Sequence, residues 1–328
     1  MFAQAIEDIL KDHCTPQVVR AIEAGGSADA LHAAIADAGF LELLAAQADG
    51  GAGATMQDLF PVALLCGAWA VPLPLAQTLA ARLLARHHAD LPAGVLSFAP
   101  ALVERGGELV CPQVPCARVA AHVIAARGDA LWLLPVASAR VDCDGVPGSL
   151  AATLCWDASR GVQLPSDVPG SSLAALGAVL HAALLAGACK RVFDMTLQYG
   201  NDRVQFGKSI GKFQAVQHQL SVMAEHVTAA SIAAQAAFEC GARPPSLLAS
   251  AVAKSRTSEA ALLVASIAHA VHGAIGVTAE YDLQLYTRRL HEWRMAHGSE
   301  AYWNQVLGRA VLDSGEALIA DFVRGVVA

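Results

Sequence analysis

Apolar residues recur every three or four positions through the first ninety residues of the chain. This spacing places them on one face of a helix and indicates helices packed against a shared core. Two Gly-rich turns, at residues 25–26 and 50–53, divide the region, and two prolines precede a last predicted helix over residues 75–89. We therefore predict an α-helical N-terminal domain over residues 1–92.

The pattern then changes to short apolar runs separated by Gly and Pro. Runs of this length are typical of strands, and their regular spacing favours a small antiparallel β domain, which we place at residues 93–169. The predicted strands are residues 95–98, 108–111, 122–125, 130–134, 139–143 and 161–164.

Long helical patterns return from residue 171 onward, with breaks near residues 200–211, 241–245 and 273–276. We assign residues 170–328 to a C-terminal helical domain. The pattern alone therefore predicts an α+β fold that is mainly α, with a β insert between two helical regions.

Charge and composition narrow the function. The 328 residues carry a net charge of −7 and no basic run, which argues against nucleic acid or an anionic membrane surface as a partner. The longest apolar run, residues 173–189, contains His181 and many small residues, so we predict a buried core helix and no membrane span. Charged residues interrupt the opening helix, and we expect a cytoplasmic protein.

Eight cysteines are scattered along the chain without a close pair of the kind that binds a metal. We expect reduced, mostly buried thiols and no metal site.

Candidate chemistry is concentrated in residues 199–218. Arg203 can bind a phosphate through two hydrogen bonds, Phe206 can stack on a planar group, and Gln214 can donate a further hydrogen bond. Together these side chains suit an extended anionic cofactor. In the competing interpretation, Arg203 forms a surface ion pair with Asp202 or Asp194, and Phe206 is a core ring.

This stretch resembles the flavin-contacting segment of acyl-CoA dehydrogenases. Residues 270–289 resemble the His-Gly-Gly-x-Gly and Leu-Tyr-x-Arg-Arg pattern of the same family, with Gly273 in the turn and Ala274 where relatives usually have a second Gly. Residues 39–53 are similar to its N-terminal Gly-Gly-x-Gly turn. The resemblance covers roughly residues 1–90 and 170–312.

The resemblance implies an acyl-CoA dehydrogenase-like fold, with an N-terminal helical domain, a small middle β domain and a C-terminal four-helix bundle that drives oligomerisation. It also implies FAD as cofactor, an acyl-CoA thioester as substrate and electron-transfer flavoprotein as redox partner. In the family, the residues that correspond to Arg203, Phe206, Gln214 and the backbone of Gly273 and Ala274 contact a flavin across a dimer interface.

The usual catalytic base of the family is missing from this sequence. Family members carry a Glu before Gly in a loop that corresponds to residues 296–300, and here His297 occupies that position. A minority carry the Glu twenty-six residues before the Arg, a position that Gly177 fills. The flavin-ring motif of the middle domain is also absent from residues 96–107.

Several roles stay open in the sequence. His297 could act as the base, because its ordinary pKa suits neutral pH, or it could be structural. Arg288 and Arg289 could neutralise nearby acids or the phosphates of CoA and flavin. Three further carboxylates are candidate bases: Glu300, Glu280 and Asp282.

We therefore interpret the chain as a subunit that supplies Arg203, Phe206 and Gln214 to a flavin site shared with a longer homologue, in an FAD-dependent desaturation of acyl-CoA. Degradation of fatty acids or steroid side chains is the expected setting. The alternatives are a catalytically silent structural or binding subunit and an independent homo-oligomeric flavoenzyme with a non-standard base. The sequence does not specify the acyl chain.

Overall fold

The computed structural model describes residues 2–85, 87, 90–143, 145–240, 244–316 and 318–327. Five helices form the N-terminal region: α1 Phe2–His13, α2 Pro16–Glu23, α3 Asp29–Asp37, α4 Met56–Ala68 and α5 Leu75–Ala80. A capping box of Thr55 and Asp58 begins α4, because each side chain satisfies a backbone N–H that the first helical turn leaves free. The predicted helix over residues 75–89 was too long, since α5 ends at Ala80 and continues only as a 3₁₀ turn, Ala81–Leu83. Ala89 lies outside the described residues.

Eight strands follow in the middle region: β1 Leu96–Phe98, β2 Val103–Arg105, β3 Glu108–Val114, β4 His122–Arg127, β5 Ala130–Pro135, β6 Arg140–Asp142, β7 Ala152–Asp157 and β8 Val162–Leu164. They form two four-stranded sheets, in the orders β1-β4-β5-β8 and β2-β3-β7-β6. The expectation of a purely antiparallel domain was wrong at one pair. Strands β1 and β4 run parallel, and Leu96 pairs with His122. Strands β2 and β7 were not predicted.

The C-terminal region contains the longest helices: α6 Ser172–Asp202, α7 Gln214–Ala237, α8 Leu247–His272, α9 Leu283–Met295, α10 Glu300–Asp313 and α11 Ile319–Val327. A short hairpin, β9 Val204–Gln205 and β10 Lys208–Ser209, joins α6 to α7. Helix α6 is central and contacts α4, α7, α8 and α9. A Cβ added to Gly67 would lie 2.0 Å from the carbonyl oxygen of Leu184, so glycine lets α4 approach the α6 backbone.

Among the described residues, two helical segments are long and apolar enough to cross a membrane by composition, α6 and the segment Leu247–Val277. The apolar window of α6 is 89% buried inside the chain, which confirms it as a core helix. The corresponding window of Leu247–Val277 is only 39% buried, and two large apolar side chains of α8, Leu247 and Leu262, are 49% and 46% exposed. All eight cysteines are free, and six of them are buried.

Candidate functional site

Arg203 lies at the C-terminal end of α6, where the helix stops and the β9–β10 hairpin begins. Its side chain is exposed and forms no hydrogen bond or ion pair with another described residue. The acids that could have paired with it are engaged elsewhere: Lys190 contacts Asp194 at 2.6 Å, and Gln198 donates to Asp202 at 2.7 Å. The guanidinium is therefore available to an anion from outside the chain.

Phe206 stands at the tip of the hairpin with a φ of 53° and is 91% exposed. The neighbouring Phe213 is half-buried, and the Lys208 ammonium lies 4.3 Å from its ring centre. Gln214 is exposed as the first residue of α7. One short segment thus contains the unpaired guanidinium of Arg203, the exposed ring of Phe206 and the N-terminus of α7. This combination suits a phosphate joined to a planar group.

The turn after α8 lies at the same end of the bundle. The ring of His272, the last residue of α8, stacks on the ring of Tyr199 near the end of α6, with centroids 4.3 Å apart. Gly273 follows with a φ of 65°, which favours glycine. Ala274 has no left-handed φ, so its replacement of the family's second Gly does not strain the turn. The structure therefore brings Gly273 and Ala274 to the end of the molecule that carries Arg203.

The two positions at which family members carry a catalytic Glu are Gly177 and His297 in this chain, and they lie together at the opposite end of α6. A Cβ on Gly177 would lie 2.2 Å from Nδ1 of His297, so the imidazole packs directly against the glycine. His297 is buried and has a φ of 54°. The indole Nε1 of Trp303 donates to its carbonyl oxygen at 2.9 Å and fixes the loop. Neither of the two positions provides a carboxylate.

Burial makes His297 a weak base. It lowers the pKa of His297 well below the ordinary value, and the adjacent His181 and Lys254 lower it further, while a hydrogen bond with the Phe98 backbone acts in the opposite direction. The rings of His181 and His297 lie 4.9 Å apart. A general base works best when its pKa lies near the working pH, so this environment disfavours catalysis by His297.

Lys254 completes this buried cluster. Its ammonium group donates to the carbonyl oxygens of Arg294 and Gly298, each at 2.8 Å, and to the Ser258 hydroxyl at 3.1 Å. Burial lowers the pKa of Lys254 to about 7. We did not predict a role for Lys254, which stands in the sequence with Arg256 as one of the two Lys or Arg residues of an Ala- and Ser-rich helix.

The other candidate carboxylates do not act as free bases beside His297. Glu300 is bound by the guanidinium of Arg294, which lowers its pKa although burial alone would raise it. Asp282 pairs with Arg20 at 2.7 Å. Glu280 is exposed at the turn that precedes α9.

Arg288 and Arg289 bind acids of the protein. Both guanidinium groups contact the carboxylate of Glu23 on α2, at 2.8 and 2.9 Å, and Arg289 also contacts Glu292 at 3.4 Å. Glu23 and Arg289 are buried. Of the two roles left open by the sequence, neutralisation of nearby acids is the one that the geometry supports.

A cavity of about 680 Å³ lies between the β region and α9 and reaches the loop that carries His297. Four prolines belong to its lining: Pro100, Pro112, Pro115 and Pro147. Proline has no N–H, and a flavin ring is held and tuned by hydrogen bonds to its nitrogens and oxygens. These four positions therefore offer no backbone donor to a bound ring, while the side chains of Gln113, Arg288 and Arg289 in the same lining carry donors.

The two candidate regions are far apart within one chain. Gly177 and Arg203 are separated by twenty-six residues of α6. At a rise of 1.5 Å per residue, this spacing corresponds to about 39 Å. One ligand cannot contact Arg203 and the neighbourhood of His297 in the same copy, whereas copies related across an interface could bring two such regions together.

Comparisons with known proteins agree with this architecture. The family model of the acyl-CoA dehydrogenase C-terminal domain matches residues 171–312. Acyl-CoA dehydrogenase IpdE2 of Mycolicibacterium smegmatis is 30% identical over 312 residues, which cover 89% of this chain and 91% of that protein. The fold resembles the ChsE4–ChsE5 complex of Mycobacterium tuberculosis, with a TM-score of 0.76 at 20% identity over 94% of this chain and 96% of that one. It also resembles a Tcur3481–Tcur3483 steroid ACAD, with a TM-score of 0.75 at 22% identity over 95% and 97% of the two chains.

The fold is thus the mainly helical α+β fold that the sequence predicted. The chain belongs to the acyl-CoA dehydrogenase family, whose members are flavin-linked oxidoreductases that act on CH–CH bonds. The resemblance noted in the sequence and the mainly α fold class are both confirmed.

Proposed function

We propose that this chain is a subunit of a hetero-oligomeric, FAD-dependent acyl-CoA dehydrogenase and completes a flavin site whose catalytic base lies on a longer homologue. One observation carries the proposal: Arg203 is exposed and unpaired with described residues, about 39 Å along α6 from a family base position that holds no carboxylate. The names of two structural neighbours, ChsE4–ChsE5 and Tcur3481–Tcur3483, each join two different chains, which supports this arrangement.

The residues of this chain have distinct tasks in the shared site. Arg203 binds the pyrophosphate of FAD, Phe206 packs on the cofactor, and Gln214 adds a hydrogen bond near the N-terminus of α7. The backbone at Gly273 and Ala274 contacts the adenosine end. When bound, FAD would supply the acceptor for the hydride of the substrate's β-carbon, and a base on the partner subunit would take the α-proton.

The setting follows from the same proposal. The complex desaturates an acyl-CoA of fatty acid or steroid side-chain degradation, passes electrons to electron-transfer flavoprotein and works in the cytoplasm. The neighbour named as a steroid ACAD supports a bulky acyl group.

The test is Arg203→Ala in a complex coexpressed with the longer homologue. Loss of a charge-assisted hydrogen bond costs about 1.5–3 kcal/mol, so we expect FAD to bind at least about tenfold more weakly. The measurement is FAD per complex, from visible absorbance and from titration of the apo complex. Lys190→Ala is the matched control, because it removes another exposed cation from α6 whose partner is Asp194.

The alternatives predict other results. Unchanged FAD affinity in Arg203→Ala supports a catalytically silent structural subunit. Stoichiometric FAD and dye reduction by the lone chain support an independent flavoenzyme and return attention to His297. A colourless lone chain that gains flavin and activity with its partner agrees with the proposal.

A further inference from the structure

Three rings join the end of α6 to the turn after α8: Tyr199, His272 and Tyr281. Tyr199 stacks on His272 with centroids 4.3 Å apart, and the ring of Tyr281 lies 5.2 Å from His272 and 6.1 Å from Tyr199. We propose that Tyr199 is a positioning residue of the shared flavin site, because it fixes Arg203 and the turn at residues 273–280 relative to each other. This inference rests on the proposed function and adds to it a residue that acts only through others.

Tyr199 holds the turn at both of its ends. His272 is the last residue of α8, immediately before the turn, and Tyr281 follows the turn, two residues before α9 begins. Most positions between them are exposed, including Val277 at 68%. An exposed segment buries little surface of its own, so its conformation depends on the contacts at its ends.

The hydroxyl of Tyr199 also reaches the first peptide of the turn. It donates to the carbonyl oxygen of His272 at 3.4 Å. That oxygen belongs to the peptide bond between His272 and Gly273, and carbonyl groups at a helix C-terminus lack partners within the helix. A hydrogen bond of this length is weak, so the stacked rings provide most of the contact.

The backbone of Tyr199 holds Arg203. The N–H of Arg203 donates to the carbonyl oxygen of Tyr199 at 2.9 Å, and the carbonyl oxygen of Arg203 accepts from the N–H of Ile210 at 2.8 Å. A Cβ added to Gly211 would lie 3.0 Å from the carbonyl oxygen of Gly200, so the chain after the hairpin packs closely on α6. One residue thus fixes Arg203 through its main chain and the turn through its ring.

This arrangement matters for a cofactor that contacts Arg203 and the turn at the same time. Order that exists before binding reduces the conformational entropy that is lost on binding. A turn that is free to move therefore weakens the binding of FAD, although every group that contacts the cofactor is still present.

The test compares Tyr199→Leu with Tyr199→Phe in the complex coexpressed with the longer homologue. Tyr199→Leu removes both ring contacts and should weaken FAD binding about tenfold in titration of the apo complex. Tyr199→Phe loses only the weak hydroxyl contact, so its affinity for FAD should stay within about twofold of wild type. Phe60→Leu is the matched control and should leave FAD affinity unchanged, because it removes a ring contact with Phe238, 5.2 Å between centroids, elsewhere in the chain.

Two further measurements distinguish positioning from a general loss of structure. In the flavin-free complex of Tyr199→Leu, hydrogen exchange should be at least about fivefold faster in residues 273–280 and unchanged in residues 220–235 of α7. In a double-mutant cycle, Tyr199→Leu should weaken FAD binding only about threefold or less when Arg203 is already Ala, because part of its effect passes through Arg203. Tyr281→Leu removes another ring of the cluster and provides the same measurements if Tyr199→Leu does not fold.

The outcomes separate this proposal from the proposed function. The positioning role is wrong, and the shared flavin site stands, if Arg203→Ala weakens FAD binding while Tyr199→Leu does not. Full additivity in the cycle, or a loss in Tyr199→Phe as large as in Tyr199→Leu, overturns it equally. Unchanged FAD affinity in Arg203→Ala overturns the proposed function and this inference with it.

Discussion

At the residue scale, the most informative contact joins His297 to Gly177. The absence of a side chain at Gly177 leaves room for a buried imidazole, and that imidazole fills the place where relatives carry a carboxylate. His181 lies beside it and donates from Nδ1 to the carbonyl oxygen of Gly177 at 2.8 Å, while its Nε2 has no partner among the described residues. Burial lowers the pKa of both imidazoles, which favours their neutral forms.

The neutral state of His181 predicts acid sensitivity. Burial lowers its pKa from 6.5 to about 3 in the folded protein. The unfolded chain binds a proton below pH 6.5 that the folded chain does not bind, so unfolding free energy falls as pH decreases from 6.5 toward 3. The loss amounts to about 1.4 kcal/mol per pH unit.

Replacement of His181 by Leu should flatten this dependence. Urea unfolding at pH 7.0, 6.0 and 5.0 measures it, with the exposed His218→Leu on α7 as control. The unfolding free energy of His218→Leu should fall with decreasing pH as steeply as that of wild type. Equal slopes in wild type and His181→Leu contradict a buried neutral His181.

At the scale of elements, α2 and α9 are joined by an ion network centred on Glu23. The side chain of Glu23 is 5% exposed, and that of Arg289 is 2% exposed. A buried ion pair is not by itself a source of stability, but removal of one member leaves an uncompensated charge in the interior.

Glu23→Gln should therefore lower the unfolding free energy by about 3–5 kcal/mol. Glu104→Gln is the matched control, because Glu104 pairs with Arg127 on the surface, where both side chains are at least 38% exposed and a pair contributes less than about 1 kcal/mol. Urea denaturation of both variants provides the comparison. Similar losses in the two variants would show that the network around Glu23 is not a buried unit.

At the scale of the whole molecule, the apolar surface of α8 indicates assembly. Leu262 on α8 is 46% exposed and lines a surface groove with Leu263 and Ile267. Ile232 on the adjacent α7 is 63% exposed. Apolar helices that remain uncovered in one chain are typical of subunits that bury them against another.

Leu262→Arg should dissociate the purified assembly, because a charge in an apolar interface loses its hydration without gaining a partner. Sedimentation velocity should show a shift toward smaller species. Val141→Arg adds the same charge at an exposed strand position, 42% exposed, and should leave the mass unchanged. An unaltered sedimentation profile of Leu262→Arg would place the interface elsewhere.

The sequence by itself determined the succession of a helical, a β and a second helical region, the core character of α6 and the family, but it missed β2 and β7. These properties are local, because the periodicity of apolar residues and the spacing of a motif are set by neighbours along the chain. Arg203 and Phe206 were also chosen as candidates from sequence; the structure exposes both side chains, and their role at a cofactor stays a prediction.

Tertiary structure decided the properties that depend on distant residues. The parallel pairing of β1 with β4, the contact of His297 with Gly177 and the binding of Arg288 and Arg289 by Glu23 each join positions remote in sequence. The environment of Lys254 arises in the same way. No local pattern encodes such contacts, because they result from how whole helices and sheets pack, and burial then sets the charge and chemistry of each group.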